Sequence, residues 1–270
     1  MLSLLKSKNT TGKYLKVKAR QGLRYGRLGI NLLSGSVFIS LCYRFPHLSK
    51  IKMRYLNDYA AFKLWVDDLS RSMNVEIHIT GTLMAEPGLF VSNHISWLDT
   101  IVLTKIQPLS FIARHDLADW PLLGTFTTRM QSVFINRENK FQAYRSLPAI
   151  EEKLREGRSV HVFPEGTTSV GKTVLPFYPM FFETAVRTGA KVQPVVITYT
   201  DADGVLIPEP AYIDEDSFGE TLTRMFIVDR IHAHVHFLPF MDSTTLGRKE
   251  MSLKSREAIL AKLSSAYQIR

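Results

Sequence analysis

Residues 88–108, GLFVSNHISWLDTIVLTKIQP, read as a strand, a turn and a helix in quick succession. Gly88 opens the short apolar run Leu89–Val91, Ser96 is placed to cap a helix, Trp97 to Lys105 continues as a mostly apolar helix, and Pro108 lies beyond it. A buried strand that feeds a covering helix is the building unit of an α/β sheet. The turn between them holds His94 and, five residues on, Asp99. On one continuous helix, at about 100° per residue, these side chains would stand about 140° apart. They meet only if His94 sits on the turn and Asp99 in the first helical turn. An imidazole held in one tautomer by a carboxylate is a ready general base. Ser96-x-x-Asp99 also matches a capping box, in which Asp99 would only return a hydrogen bond to the helix start.

Outward from this unit, strand-like and helical runs alternate. Val75, Ile77 and Ile79 alternate, and Leu109 to Ala113, Val133 to Ile135, Val160 to Phe163 and Val192 to Ile197 are short apolar runs. Helical patterns fall at 97–106, at 139–156 with Pro148 in the middle, at 179–188 before Gly189, and at 249–267. The fold class expected is α/β, a mixed sheet covered by helices. An amphipathic helix precedes it: Tyr55, Tyr59, Phe62, Val66, Leu69 and Met73 recur at steps of four and three.

Charge divides the chain. Residues 1–57 carry twelve Lys or Arg and no acid, leaving 22 basic against 25 acidic residues after them, so the net charge of +9 sits in the N-terminal arm. The arm has few aromatics and no recognition motif, which speaks against nucleic acid, and it runs into the apolar segment Leu28 to Tyr43. An anionic membrane surface suits that combination better. That segment, sixteen residues long and interrupted by Asn31, Ser34, Gly35, Ser36 and Ser40, falls short of the roughly 20 apolar residues that span a bilayer. The segment is expected to lie in or dip into one leaflet, with a packed core helix as the rival reading. Basic residues on both sides place both ends on the cytoplasmic face. The expected organisation is a membrane-associating region at 1–74 and one catalytic domain at 75–270.

Three further groups stand out. Val133 to Ile135 leads to Arg137, with Lys140 beyond, and a guanidinium at a strand exit suits a phosphate or carboxylate. Phe163-Pro164-Glu165-Gly166-Thr167-Thr168-Ser169 makes a tight polar loop after another strand, able to aim backbone N–H groups at a ligand. His232, His234 and His236 share one strand face, but direct neighbours on one strand make a poor closed tetrahedral site and no acidic ligand lies close, so no metal is expected.

In order, NHISWLD (93–99), VFINR (133–137), FPEGTTS (163–169) and VQPVV (192–196) resemble the four blocks of the glycerolipid acyltransferase family, which includes the 1-acylglycerol-3-phosphate acyltransferases. Each block is short, and their order over about a hundred residues carries the signal. The resemblance implies transfer of a fatty acyl group from acyl-CoA or acyl carrier protein to the free hydroxyl of a lysolipid, with no cofactor, metal or acyl-enzyme. By position, His94 would be the base, Asp99 its orienting partner, Arg137 a binder of the acceptor head, and Glu165, Gly166, Thr167 and Thr168 part of the acceptor pocket. Pro194 would shape a strand near the site. Asp99 should then point at His94 rather than at the backbone of Ser96. Backbone N–H groups around 94–99, or those of the loop after Glu165, would face the oxyanion.

The residues agree with a direct mechanism. A hydroxyl attacking a thioester must lose a proton, Gly-x-Ser-x-Gly is absent, and the single cysteine, Cys42, lies in the arm. Many phosphate-acceptor members carry arginine where this chain has Thr168. The FPEGTT form also resembles enzymes acting on lyso-ornithine lipid, so 1-acylglycerol-3-phosphate is the first acceptor expected and lyso-ornithine lipid, or another lysophospholipid, the alternative. A thioesterase and a catalytically silent lipid-binding protein of the same fold are the rival functions.

Overall fold

The structure is a computed structural model that describes residues 2–44, 56–114, 132–135, 144–213 and 215–268. Arg137 and Lys140 lie outside the described residues. Helix α1 (Leu2–Arg44) and helix α2 (Leu56–Ser72) precede strand β1 (Val75–Gly81). Strand β2 (Leu89–Ser92) leads to helix α3 (Leu98–Ile106), and strands β3 (Ser110–Arg114) and β4 (Val133–Ile135) follow. Helix α4 (Leu147–Arg155), strand β5 (Val160–Val162), helix α5 (Phe182–Thr188) and strand β6 (Val192–Thr200) come next. Helix α6 (Phe218–Ile227), strand β7 (Ile231–Phe237) and helix α7 (Arg248–Gln268) complete the chain.

The seven strands form one sheet in the order β1-β7-β6-β2-β5-β3-β4. All neighbours run parallel except β6 and β7, so the sheet is mixed. Central strand β2 is buried along its whole length, which is why Leu89, Phe90 and Val91 read as an unbroken apolar run rather than an alternating one. Edge-proximal β7 alternates instead: Ile231, Ala233, Val235 and Phe237 are buried and the intervening histidines are half-buried. Each face carries its own core. On one side Val66, Leu69 and Met73 of α2, Leu98 of α3 and Met225 and Phe226 of α6 pack on β7. On the other, Ile150 of α4, Phe182 of α5 and Ile259 of α7 pack on Val160 and Val196.

Two helix boundaries move from the sequence reading. Helix α3 starts at Leu98 with Trp97 at its N-cap, and Ser96 Oγ only accepts the Leu98 N–H at 3.3 Å. Helix α4 starts at Leu147, which puts Pro148 in its first turn, where a missing N–H costs nothing, instead of mid-helix. Pro194 stands in the central strand β6, and its carbonyl accepts the Leu238 N–H at 3.0 Å.

Part of α1 packs on α6 and α2. Arg24 is buried and its guanidinium donates to the carbonyl of Phe226 in the last turn of α6 and to those of Val228 and Asp229 just beyond it. Leu28 joins the core, the Asn31 amide donates to Asp68 at 2.6 Å, and a Cβ at Gly35 would meet the Trp65 indole at 2.3 Å. Among the described residues no helix is long and apolar enough to cross a membrane.

Candidate active site

Strand β2 ends at Ser92, and the loop to α3 is fastened before it turns. The Asn93 side chain donates to Ile197 O and accepts Ile197 N–H, both at 2.9 Å, so one amide clips the loop to neighbouring β6. His94 follows directly. Its Nδ1 lies 2.8 Å from Asp99 Oδ2, and its ring stacks on Phe163 with centroids 3.7 Å apart at 12°. The pair that the spacing allowed is therefore made.

Asp99 is fully buried and does more than face His94. Its Oδ2 also accepts the N–H groups of Ile95 at 2.7 Å and Ser96 at 3.0 Å, so the expectation that it would point at His94 rather than at the Ser96 backbone is corrected. One oxygen serves both because the tight turn brings the imidazole and two amides to the same spot. The other oxygen, Oδ1, accepts from Tyr199 Oη at 2.5 Å. Burial first, then the Asp99 charge, pushes the Tyr199 phenol well above its ordinary value and keeps it a donor. Tyr199 lies a hundred residues from Asp99 on the far end of β6, and nothing in its apolar strand marked it.

Glu165 joins this loop to the third block. It is 4% exposed; Oε1 accepts the His94 N–H and Oε2 the Leu175 N–H, both at 2.8 Å. In return Ser169 N–H donates to His94 O at 2.9 Å. Burial pushes the Glu165 carboxyl up to about 7; the two amides and Arg256 pull it down and Asp99 adds to the rise. Arg256 on α7 holds the carbonyls of Val174 and Leu175, which fixes the amide that Glu165 uses. Both carboxylate oxygens are thus turned to backbone. Gly166 has φ +73, and a Cβ there would come within 2.8 Å of the Tyr178 ring. Thr167 is exposed, while the Thr168 hydroxyl donates to Tyr212 O. Tyr212 N–H in turn donates to Ile95 O, so residue 212 locks both loops.

The loop amides are largely spent. Those of His94, Ile95, Ser96, Leu98 and Asp99 go to Glu165, Asp99, Asp99, Ser96 Oγ and Ser96 O. His161 on β5, also missed in sequence, is fully buried beside Ser92 Oγ at 2.9 Å; burial, then His94, holds it down to about 3 and therefore neutral. With Phe111 and Phe163 it forms an aromatic layer under His94.

A protein-family model described as Acyltransferase matches residues 74–198. The 1-acyl-sn-glycerol-3-phosphate acyltransferase of Neisseria meningitidis is 37% identical over 185 residues, 68% of this chain and 70% of that one. The chain belongs to the glycerolipid acyltransferase family. The lyso-ornithine lipid O-acyltransferase of Pseudomonas aeruginosa, another member, is 28% identical over 232 residues, 86% of each chain. The fold of this acyltransferase is shared with the crystal structure of the 1-acyl-sn-glycerophosphate acyltransferase of Thermotoga maritima, at TM-score 0.64 and 19% identity over 92% of this chain and 99% of that one.

Tyr199 is a positioning residue, since it acts through Asp99. Tyr199→Phe should lower kcat about tenfold with KM little changed. It leaves a buried carboxylate oxygen unpaired, so about 1–3 kcal/mol of stability should go with it. Steady-state kinetics beside thermal unfolding reads both.

Proposed function

We propose that this acyltransferase moves a fatty acyl group from acyl-CoA or acyl carrier protein to the free hydroxyl of a lysolipid, with 1-acylglycerol-3-phosphate as first acceptor. The observation that carries the reading is His94 Nδ1 bonded to the buried Asp99 carboxylate. With Nδ1 bonded to Asp99, Nε2 is the ring atom that would take the acceptor's hydroxyl proton as the oxygen attacks the thioester carbonyl. The imidazolium that forms is matched by the Asp99 charge, and it returns the proton to the leaving thiolate. Asp99 and its neighbours use up most amides of the first loop, and the Gly166 amide goes to Phe163 O, so the backbone N–H groups of Thr167 and Thr168 would face the oxyanion. No cofactor is required.

The lipid acceptor implies docking at an anionic membrane surface on the cytoplasmic face, and α1 supports it. Leu15, Leu23, Ile30, Leu33 and Val37 are each more than half exposed. At 100° per residue they fall within an arc of about 80°. Lys16 and Arg27 fall on one flank of that stripe, at about 20–40° from Leu23. An apolar stripe flanked by cations suits a helix lying in the interface. The rest of α1 holds this stripe against the catalytic domain through Arg24 and Asn31.

The second acceptor reading, lyso-ornithine lipid, is favoured by Thr168. It brings a hydroxyl where phosphate-acceptor relatives bring a cation, and that hydroxyl is tied to Tyr212 O. The test is an acceptor panel with the purified protein on vesicles: lysophosphatidic acid, other lysophospholipids and lyso-ornithine lipid, each with acyl-CoA and acyl carrier protein donors. Lysophosphatidic acid is expected to turn over fastest, and Thr168→Arg to raise that rate further. A preference of tenfold or more for lyso-ornithine lipid selects the second reading, and release of free fatty acid in place of acylated lipid rejects transfer.

A further inference from the structure

Three alternating histidines on β7 offer a poor metal site by themselves, because ligands two apart on one strand diverge. The sheet changes that by placing β1 alongside in parallel, with Glu76 opposite His232, His78 opposite His234 and Thr80 opposite His236. All these side chains share one face, turned away from the α2 and α6 core. His78 Nε2 lies 2.8 Å from His232 Nδ1. The Glu76 carboxylate supplies an oxygen 3.8 Å from His78 Nε2 and another 3.9 Å from His232 Nδ1. An acid that is distant in sequence is thus the third corner of a small triangle.

We propose that Glu76, His78 and His232 bind one borderline divalent cation of the zinc class, clipping edge strand β1 to β7. Zinc–nitrogen bonds of about 2.0–2.1 Å and zinc–oxygen bonds of about 2.0–2.2 Å place tetrahedral ligand atoms roughly 3.3 Å apart. The separations of 2.8, 3.8 and 3.9 Å straddle that value, the last two reaching different oxygens of Glu76, so a turn of the exposed carboxylate and shifts of about half an ångström or more bring one oxygen and the two nitrogens to it. The donor set of two imidazoles and a carboxylate, with water in the fourth place, selects zinc over magnesium.

Two further observations fit ligation better than a plain histidine pair. His232 aims Nδ1 into the cluster, the orientation that ligation through Nδ1 requires, although its buried Nε2 lacks, among the described residues, the outer hydrogen bond that ligating histidines usually make. His78 is held flat between His232 and His234, with ring centroids at 5.1 and 4.9 Å, so its Nε2 is already directed. The cost is the ion pair of Arg230 with Glu76 at 2.9 Å, between two half-exposed side chains. An exposed pair of that kind contributes little, so the metal displaces it readily. None of the three ligands belongs to the His94 site, and the cation stabilises the sheet edge without entering the acyl transfer.

The test is calorimetric titration of the tag-free, full-length protein in micelles with zinc chloride alone, and with magnesium chloride as comparator. One zinc per chain and no magnesium are expected, with Tm rising by about 5 °C at saturating zinc. Glu76→Gln and His232→Ala should each weaken zinc binding about tenfold or more, while His236→Ala and His94→Ala leave it unchanged. Glu76→Gln alters an exposed side chain and tests the site even if His232→Ala misfolds. Absence of zinc uptake by the wild-type protein overturns the proposal. So does uptake that Glu76→Gln leaves unchanged, or that His94→Ala abolishes.

Discussion

His94→Ala is expected to lower acyl transfer to a lysolipid by about 10³-fold, within the 10²–10⁴-fold range that a positioned general base contributes. The acceptor hydroxyl is a weak nucleophile until its proton leaves, and Nε2 is the imidazole atom that Asp99 does not hold. Alanine also removes a ring stacked on Phe163, but the loop itself is fixed through the His94 backbone, whose N–H and carbonyl are bonded to Glu165 and Ser169. Folding should therefore survive. Vesicle flotation of the variant should match the wild type, because the exposed stripe of α1 involves none of these groups. Turnover of labelled acyl-CoA into lipid, measured on the same vesicles, reads the loss. Undiminished turnover would refute the general-base role.

Asp99→Ala is expected to cost activity by a similar factor and stability besides. It removes one partner from four bonds at once: the His94 imidazole, the Ile95 and Ser96 amides, and the Tyr199 phenol. Each buried donor left unpaired costs about 1–3 kcal/mol, so several kcal/mol should be lost and Tm should drop clearly. Asp99→Asn separates charge from geometry. Its amide oxygen can accept from His94, Ile95 and Ser96, while its NH₂ faces Tyr199, whose hydroxyl turns to accept. The imidazole keeps its tautomer and the fold keeps its bonds, but the imidazolium loses its counter-charge. At an effective dielectric of about 20, a pair about 4 Å apart is worth about 4 kcal/mol, so a rate loss of about 10²-fold or more is expected with Tm nearly unchanged. Full activity in Asp99→Asn would show that Asp99 only orients the ring.

These two residues sit on the part of the protein most legible in the chain. The strand, turn and helix around residues 88–106 follow from an apolar run, a polar turn and a second apolar run, and the spacing of His94 and Asp99 permits one geometry of contact. The strand runs and the α/β class follow from the same local periodicities, since an element's buried face is written in its own residues. The helix starts at Leu98 and Leu147 were less legible, because the caps depend on how the preceding loop is held. Arg24 shows the limit in the arm: in sequence it is one more basic residue, and in the fold it closes the end of α6.

What the sequence by itself determined is the class of fold, the order of the blocks and the identity of the histidine–carboxylate pair. Only the tertiary structure decided what surrounds that pair: Tyr199 on Asp99, Glu165 turned to backbone, Thr168 tied to Tyr212, and Glu76 beside two histidines of another strand. The physical reason is register. Period-two alternation shows which face a strand residue takes, but a neighbour across the sheet is set by which strands pair and with what offset, and that depends on the packing of both cores at once.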